Sequence, residues 1–411
     1  MVNDRISRVI FEYATQIGGA RETDASLRLN ANMARDLVGA DRCSIWLIDA
    51  KTNHLWTKVA HGIPEIRIPL GQGIVGASIA QNETVVVNDT SKDARFLTPV
   101  DRTSGYVTQS VIAIPLRGAD GQVMGALQVL NKPGGFTQAD VDLLGLAATY
   151  SASAIETQRL REQAETARLL QKEMEIARGV QERLFPQSSP PIDGLDYAAY
   201  CRPAKSVGGD YYDFIPMRGG GIFFTLGDVS GKGVAAAVLM ASIQASIRSQ
   251  TVEPFDSLAG LMSNFNGAVY SFSMEDRYST LFCGHLDSTA RRLIYVNAGQ
   301  VRPLLYRAST GKIETLDSGG LPVGLLPAAS YEEGSVTLQT GDALLGYSDG
   351  ISEAANAKGE MWGDRNVREL LSRHASETAP ALIQAVVTAA DAFTGDAEQG
   401  DDMTVVALRA V

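Results

Sequence analysis

The sequence predicts an α+β chain of two domains joined by one long helix, the second domain a β-sandwich flanked by helices. Three observations carry this. At 411 residues the chain exceeds what one ordinary hydrophobic core organises. Nothing breaks a helix between the capping box Thr137-Gln-Ala-Asp140 and Pro186. On both sides of that stretch, apolar runs of strand length alternate with turn residues, and the shorter helices arrive in blocks.

Taken in order, Ile6, Val9, Ile10, Tyr13 and Ile17 recur at helical spacing and predict a short helix within residues 1–19. Asp24–Val38 reads as a second helix with Asp24 as its cap. Strands follow at Cys43–Ile48, Leu55–Ala60, Thr84–Val87, Ser110–Pro115 and Val123–Leu130, and Gly71-Gln-Gly73 opens a short helix through Ala80. Residues 20–155 thus form one mixed domain. From Glu156 to Leu184 the long helix becomes polar, and Ala167, Leu170, Met174, Ala177 and Leu184 recur at three- and four-residue steps, with Gln181 interrupting. That pattern predicts a parallel coiled coil in a homodimer; a lone solvated connector and a helix packed on its own domain are the other readings. Gly179 weakens the helix and marks a candidate hinge. Gln187-Ser-Ser-Pro-Pro191 is the linker, so residues 156–189 connect to a domain at 190–411. There, strands begin near Leu195 and continue at Gly221–Gly227, Ser279–Leu286, Arg292–Ala298, Leu304–Arg307, Ser335–Leu338, Ala343–Tyr347 and Met403–Ala410. Helices are expected at Val234–Ser249, Pro254–Ser271, Asn366–His374 and Ala379–Phe393.

Composition narrows the function. Hydrophobic residues make up 45% and charged residues 20%, a globular balance. A net charge of -11 argues against nucleic acid and against anionic membrane surfaces as partners. Cys43, Cys201 and Cys283 are scattered in apolar settings, as buried hydrophobes rather than disulfides or zinc ligands. The N-terminus has no apolar leader and no run is long enough to span a bilayer, so a cytoplasmic location is expected.

The chemistry lies in four aspartates in separate glycine-flanked motifs: Asp210 in VGGDYYDF, Asp228 in LGDVSGKG, Asp349 in GYSDGISE and Asp401 in QGDDMTVV. Each sits at or beside the end of an expected strand. A lone Asp-Gly after a strand is usually a turn. Four such carboxylates brought together would need cations to relieve their repulsion, and Mg²⁺ and Mn²⁺ suit oxygen ligands. Val229 could add its carbonyl. Two such ions hydrolyse phosphate esters. Gly227-Asp-Val-Ser-Gly-Lys-Gly233 lacks the spacing of a nucleotide phosphate loop, which leaves Lys232 as a solvated charge or a contact to substrate phosphate. His54, His61, His285 and His374 form no metal spacing.

These segments, with Asn297-Ala-Gly299, Gly320-Leu-Pro-Val-Gly324 and the preceding helix Glu175–Pro186, resemble the metal-dependent serine/threonine phosphatases of the type 2C superfamily, in their bacterial SpoIIE-like branch. The resemblance implies an α/β/β/α sandwich holding two Mn²⁺ or Mg²⁺ ions. Asp228 would bridge them, Val229 would add its carbonyl, Asp349 and Asp401 would hold the second ion, and Asp210 would act directly or through water. Asp402 is the alternative to Asp401, and Asp213 would support the site from behind. Activated water would attack phosphoserine or phosphothreonine in line, and the implied substrate is an anti-anti-sigma-factor-like phosphoprotein. A histidine that follows the bridging Asp-Gly in eukaryotic relatives is absent from Asp228-Val-Ser-Gly.

The N-terminal half resembles a GAF sensor domain through Cys43–Asp49, Pro69–Gly76, Val111–Leu116 and Gly125–Lys132. Asn131, Lys132, Phe136 and Asp140 match most of a signature found in cyclic-nucleotide-binding members, with Val141 in place of its Glu. A cyclic-nucleotide receptor and a ligand-free dimerisation module both remain open. For the whole chain, the rival to a sensor-regulated phosphatase is a catalytically silent signalling scaffold.

Overall fold

The structure, a computed structural model, describes residues 2–19, 22–61, 65–97, 101, 105–218, 220–252, 255–273 and 277–411, with side chains in the first helix described for 7–13 and 15–17. Ile6 (as a side chain) and Pro254 lie outside the described residues. The chain divides into two compact units, Met1–Leu169 and Leu170–Val411.

Alternation builds the first unit. Helices α1 (Val2–Gly19) and α2 (Thr23–Val38) lead into strands β1 (Arg42–Asp49), β2 (His54–Ala60) and β3 (Arg67–Pro69). Helix α3 (Gly73–Gln81), β4 (Val85–Val87), β5 (Val111–Arg117) and β6 (Val123–Leu130) follow. The strands form one sheet in the order β3-β2-β1-β6-β5-β4, antiparallel throughout. Successive side chains point to opposite faces. Cys43, Ile45, Ile112, Ile114 and Leu127 therefore pack under α2 and the start of the long helix, while Trp46, Val111 and Ala113 pack under α3. Burial pushes the Cys43 thiol well up, so it behaves as a small hydrophobe.

Helix α4 (Gln138–Glu182) is a single uninterrupted element of 45 residues, and the division between the units falls within it. Its hydrogen-bonded helix continues unbroken through Gly179. Asp140 accepts from both the Thr137 amide (2.7 Å) and hydroxyl (2.8 Å), closing half of the expected capping box. Asp24, by contrast, lies inside the first turn of α2 and pairs with Lys58 at 2.8 Å instead of capping.

The second unit is a four-layer α/β/β/α sandwich. Its strands are β7 (Leu195–Arg202), β8 (Tyr211–Pro216), β9 (Ile222–Val229), β10 (Ser279–Asp287), β11 (Arg292–Ala298), β12 (Leu304–Arg307), β13 (Lys312–Thr315), β14 (Gly319–Gly320), β15 (Gly334–Thr337), β16 (Ala343–Tyr347) and β17 (Met403–Ala410). One sheet runs β14-β11-β10-β9-β8 with β15 beside β11; the other runs β13-β12-β16-β17-β7. Between them lie Phe224, Leu226, Phe282, Leu305, Leu344 and Leu408. Helices α5 (Val234–Gln250) and α6 (Leu258–Phe272) cover the first sheet. Helices α8 (Asp364–His374) and α9 (Ala379–Thr394) cover the second, and α7 is one turn at Asp349–Ser352.

Strand β8 departs from expectation, because Tyr211-Tyr-Asp213 reads as acidic and aromatic rather than as a strand. Asp213 is fully buried, and Arg248 of α5 binds both of its oxygens at 2.7 and 2.8 Å. Tyr211 adds its hydroxyl at 2.8 Å. Asp213 thus ties β8 to a helix and reaches none of the other aspartates by hydrogen bond. The domain boundary also shifts. Gln181 is buried against Gly208, and Leu184 packs on the α5–α6 core, so the second unit includes residues expected in the linker. Phe282 stands at the centre of the inter-sheet layer with 1% exposure. Phe282→Ala should cost about 3–5 kcal/mol, read as a lower midpoint in chemical denaturation followed by far-UV circular dichroism.

Candidate functional site

The four aspartates come from strand ends that the sandwich forces together. Strand β9 sends Phe224 and Leu226 inward between the sheets, so its period of two sends Asp228 the same way. Strand β8 pairs with β9 with Tyr212 opposite Leu226, and Phe214 and Tyr212 also face inward. Continuing that register by two residues sets Asp210 opposite Asp228 on the same face. From the other sheet, β16 ends at Tyr347 opposite Val405 of β17, so Asp349 and Asp401 leave the sheet at one end.

Glycine opens the space. A Cβ on Gly209 would come within 2.9 Å of the Val229 carbonyl and 3.5 Å of Asp228 Oδ1. One on Gly208 would stand 2.3 Å from Asp402 Oδ2. Only residues without side chains let the 204–210 loop lie this close.

Adjacent carboxylates have separate tasks. Asp402 is buried and accepts from the backbone amides of Ala204 and Gly209, each at 2.7 Å. Both of its oxygens therefore hold the loop that carries Asp210. Asp401 is half-exposed and pairs with Lys232 at 2.9 Å. Lys232 thus has a carboxylate partner rather than standing alone in solvent. Gln181, at the end of α4, donates to the Gly208 carbonyl at 2.7 Å and accepts from its amide at 3.1 Å. Sequence periodicity placed Gln181 as a break in a helix seam; its task in the loop has no local signal.

Electrostatic conflict marks the site. Burial first, then the charge of Asp228, holds the Asp210 carboxyl well above the usual range. Burial, then Asp349 and Asp401, pushes Asp228 up to about 7. Asp349 is also raised, by burial and then by Asp401. Asp210 Oδ2 is buried without a hydrogen-bond partner. Hard divalent cations fit this set: every donor is oxygen, one buried donor is unmatched, and positive charge would remove the repulsion. Among the described residues no three His, Cys, Asp or Glu side chains already converge on one ion position. None of the four histidines makes a hydrogen bond to these carboxylates; His285 packs on the Phe255 ring and His374 on Glu377.

The N-terminal signature residues serve one corner of their own unit. Asn131 accepts from the Gln109 amide at 2.7 Å and donates to Val107 at 2.8 Å; Lys132 pairs with Asp140; Phe136 is buried in the helix-side core. None of the four lines the cavity on the opposite face of the sheet, about 70 Å³ bounded by Trp46, Ile68, Val75, Phe96, Tyr106 and Gln128. All four make contacts within their own unit, and Asn131 also donates to the hydroxyl of Tyr106, which does line that cavity, at 3.0 Å.

Comparison with known proteins agrees with this division. Residues 218–411 match the family described as stage II sporulation protein E (SpoIIE), and residues 22–155 match the GAF domain family. The chain is 27% identical over 303 residues to Protein IcfG of Synechocystis sp., covering 67% of this chain and 47% of that protein. It is 26% identical over 240 residues to the phosphoserine phosphatase RsbU of Bacillus subtilis, covering 58% and 70%. The chain therefore spans about half the length of the first relative and over two thirds of the second. Among solved structures, the SiaA-PP2C domain of Pseudomonas aeruginosa shares the fold, with TM-score 0.53, 20% identity and coverage of 60% of this chain and 99% of that one.

The raised carboxyls fix the sign of a pH effect. Unfolded carboxylates ionise near about 4. Between that value and about 7 the folded, metal-free protein retains protons that the unfolded chain has released. Stability contributed by Asp210 and Asp228 is therefore present at acid pH and lost as pH rises toward neutrality. The melting temperature in EDTA should fall from about pH 5 to about pH 7.5, and Asp228→Asn should flatten that fall.

Proposed function

We propose that this chain, which joins a GAF domain to a phosphatase domain of the SpoIIE type, is a sensor-regulated, metal-dependent serine/threonine phosphatase acting on a phosphoprotein in the cytoplasm. The observation that carries the reading is the conflict among Asp210, Asp228, Asp349 and Asp401, with Asp210 Oδ2 buried and unmatched. No scaffold gains from it. Asp228 would serve both ions, with the Val229 carbonyl on one; Asp349 and Asp401 would hold the second, and Asp210 would act directly or through water. When bound, two Mn²⁺ or Mg²⁺ ions lower the pKa of water and neutralise phosphoryl oxygens. The chain's residues do the positioning. Asp402 and Gln181 hold the loop that aims Asp210, while Asp213 and Arg248 anchor the strand that follows it. Phosphoserine is the group the reading takes to be hydrolysed, since the similar RsbU is named a phosphoserine phosphatase; an anti-anti-sigma-factor-like phosphoprotein as its carrier is what the sequence resemblance implies.

Regulation follows from Gln181. Helix α4 begins in the GAF unit and ends with Gln181 on the loop before Asp210, so displacement of that turn would move a candidate ligand. Leu160, Leu169, Leu170, Ile176 and Val180 are exposed along this helix, which supports a homodimer through it. Leu184 and Gln181, turned into their own unit, would not join that seam. A cyclic nucleotide would not fit the 70 Å³ cavity as it stands, while a cavity of about 470 Å³ beside Arg28, Trp56, Lys58 and His61 in the same unit is large enough, so a small-molecule ligand and a dimerisation role both stay open.

Two measurements test the proposal. Mn²⁺-dependent hydrolysis of a chromogenic phosphate ester should fall at least about 100-fold in Asp228→Asn. Retained activity would remove the mechanism, and an inactive parent with metal bound would favour the scaffold. Gln181→Ala should change Mn²⁺-dependent activity by about ten-fold while leaving the far-UV spectrum unchanged.

A further inference from the structure

Lys232 is committed to a residue that the sequence gives it no reason to meet. It lies on the loop between β9 and α5, flanked by Gly231 (φ 95°) and Gly233 (φ 77°). Its Nζ is 2.9 Å from Asp401 Oδ2 and donates to the Gly400 carbonyl at 2.7 Å. Asp401 is 169 positions away in sequence, just before β17 of the other sheet. The lysine thus brings a positive charge to the outer carboxylate of a cluster whose inner members repel one another.

We propose that Lys232 is a built-in counter-cation, holding the Asp401 carboxylate until a divalent ion displaces it. The inference rests on the reading of Asp401 as a metal ligand. An ammonium 2.9 Å from Asp401 Oδ2 repels a divalent ion bound at the same carboxylate, so the two oppose each other there. The competition is weak enough to be reversible, because lysine and aspartate side chains are 47% and 42% exposed. The flanking glycines hold left-handed backbone that carries Lys232 out from the loop, where its long side chain is free to turn between partners. The displaced ammonium also has somewhere to go: with Arg202 it lines a cavity of about 380 Å³ whose wall carries Glu353 and Glu398. Lys232 therefore does two things. It steadies the metal-free cluster, and it sets the threshold at which the second ion enters.

The test is Mn²⁺ titration by calorimetry on the full chain, with Lys232→Gln, Asp401→Asn and the double variant. Lys232→Gln should tighten the weaker Mn²⁺ site by about two- to five-fold. It should also lower the melting temperature in EDTA. Both effects should vanish in the Asp401→Asn background, which separates competition for one carboxylate from a general effect of positive charge. Unchanged Mn²⁺ affinity in Lys232→Gln, where Asp401→Asn weakens binding, would overturn the inference and leave the metal site standing. A raised KM in that case would assign Lys232 to the substrate phosphate. If Asp401→Asn itself leaves Mn²⁺ affinity untouched, the ligand assignment falls and the counter-cation with it.

Discussion

Repulsion between carboxylates that the fold holds in one place is the constraint on which the rest of this second unit depends. The inter-sheet core fixes where β9 and β16 end, and the strand period fixes which way Asp228 points. Asp210 is then only 2% exposed beside a second acid. A buried carboxylate with a like neighbour is costly unless it keeps its proton or meets a cation. The surrounding residues make sense as supports for that arrangement. Asp402 uses its charge on backbone amides, and Arg248 neutralises the fully buried Asp213. Arg248 removes the Asp213 charge from the conflict, whereas Asp402, though held by amides, still adds to the repulsion that raises Asp210 and Asp228.

Position along a strand thus gives chemically identical side chains different work. Asp401 and Asp402 are neighbours, yet one is half-exposed against a lysine and the other is buried under a loop. The same separation of tasks holds in the first unit. Asn131, at φ 53°, spends its side chain on the backbone that precedes β5, and Lys132 and Asp140 satisfy each other. A group already saturated by its own chain has little left for a ligand.

Much of this was legible in the sequence because local patterns dictate it. The strands Arg292–Ala298, Leu304–Arg307, Ala343–Tyr347 and Met403–Ala410 are apolar runs between turn residues, and they fold with those bounds. The capping box at Thr137 worked for the same reason. Strand β8 was hidden because its text is polar, and Arg248, which makes Asp213 tolerable there, lies 35 positions away. The motif resemblance favoured Asp401 over Asp402, but the task of Asp402 was not legible, since the amides that claim it come from residues 198 and 193 positions distant. The four motif aspartates were found through their glycines; Gln181 was not, because a glutamine in a polar helix looks like any other.

The contact between Gln181 and Gly208 has a mechanical consequence. The side-chain amide donates and accepts at once, as a neighbouring strand would. Its two bonds share one rigid plane, so rotation of the helix end stretches both together. The loop before Asp210 is therefore tied to the helix end by one side chain through two bonds, and a substitution there removes both at once.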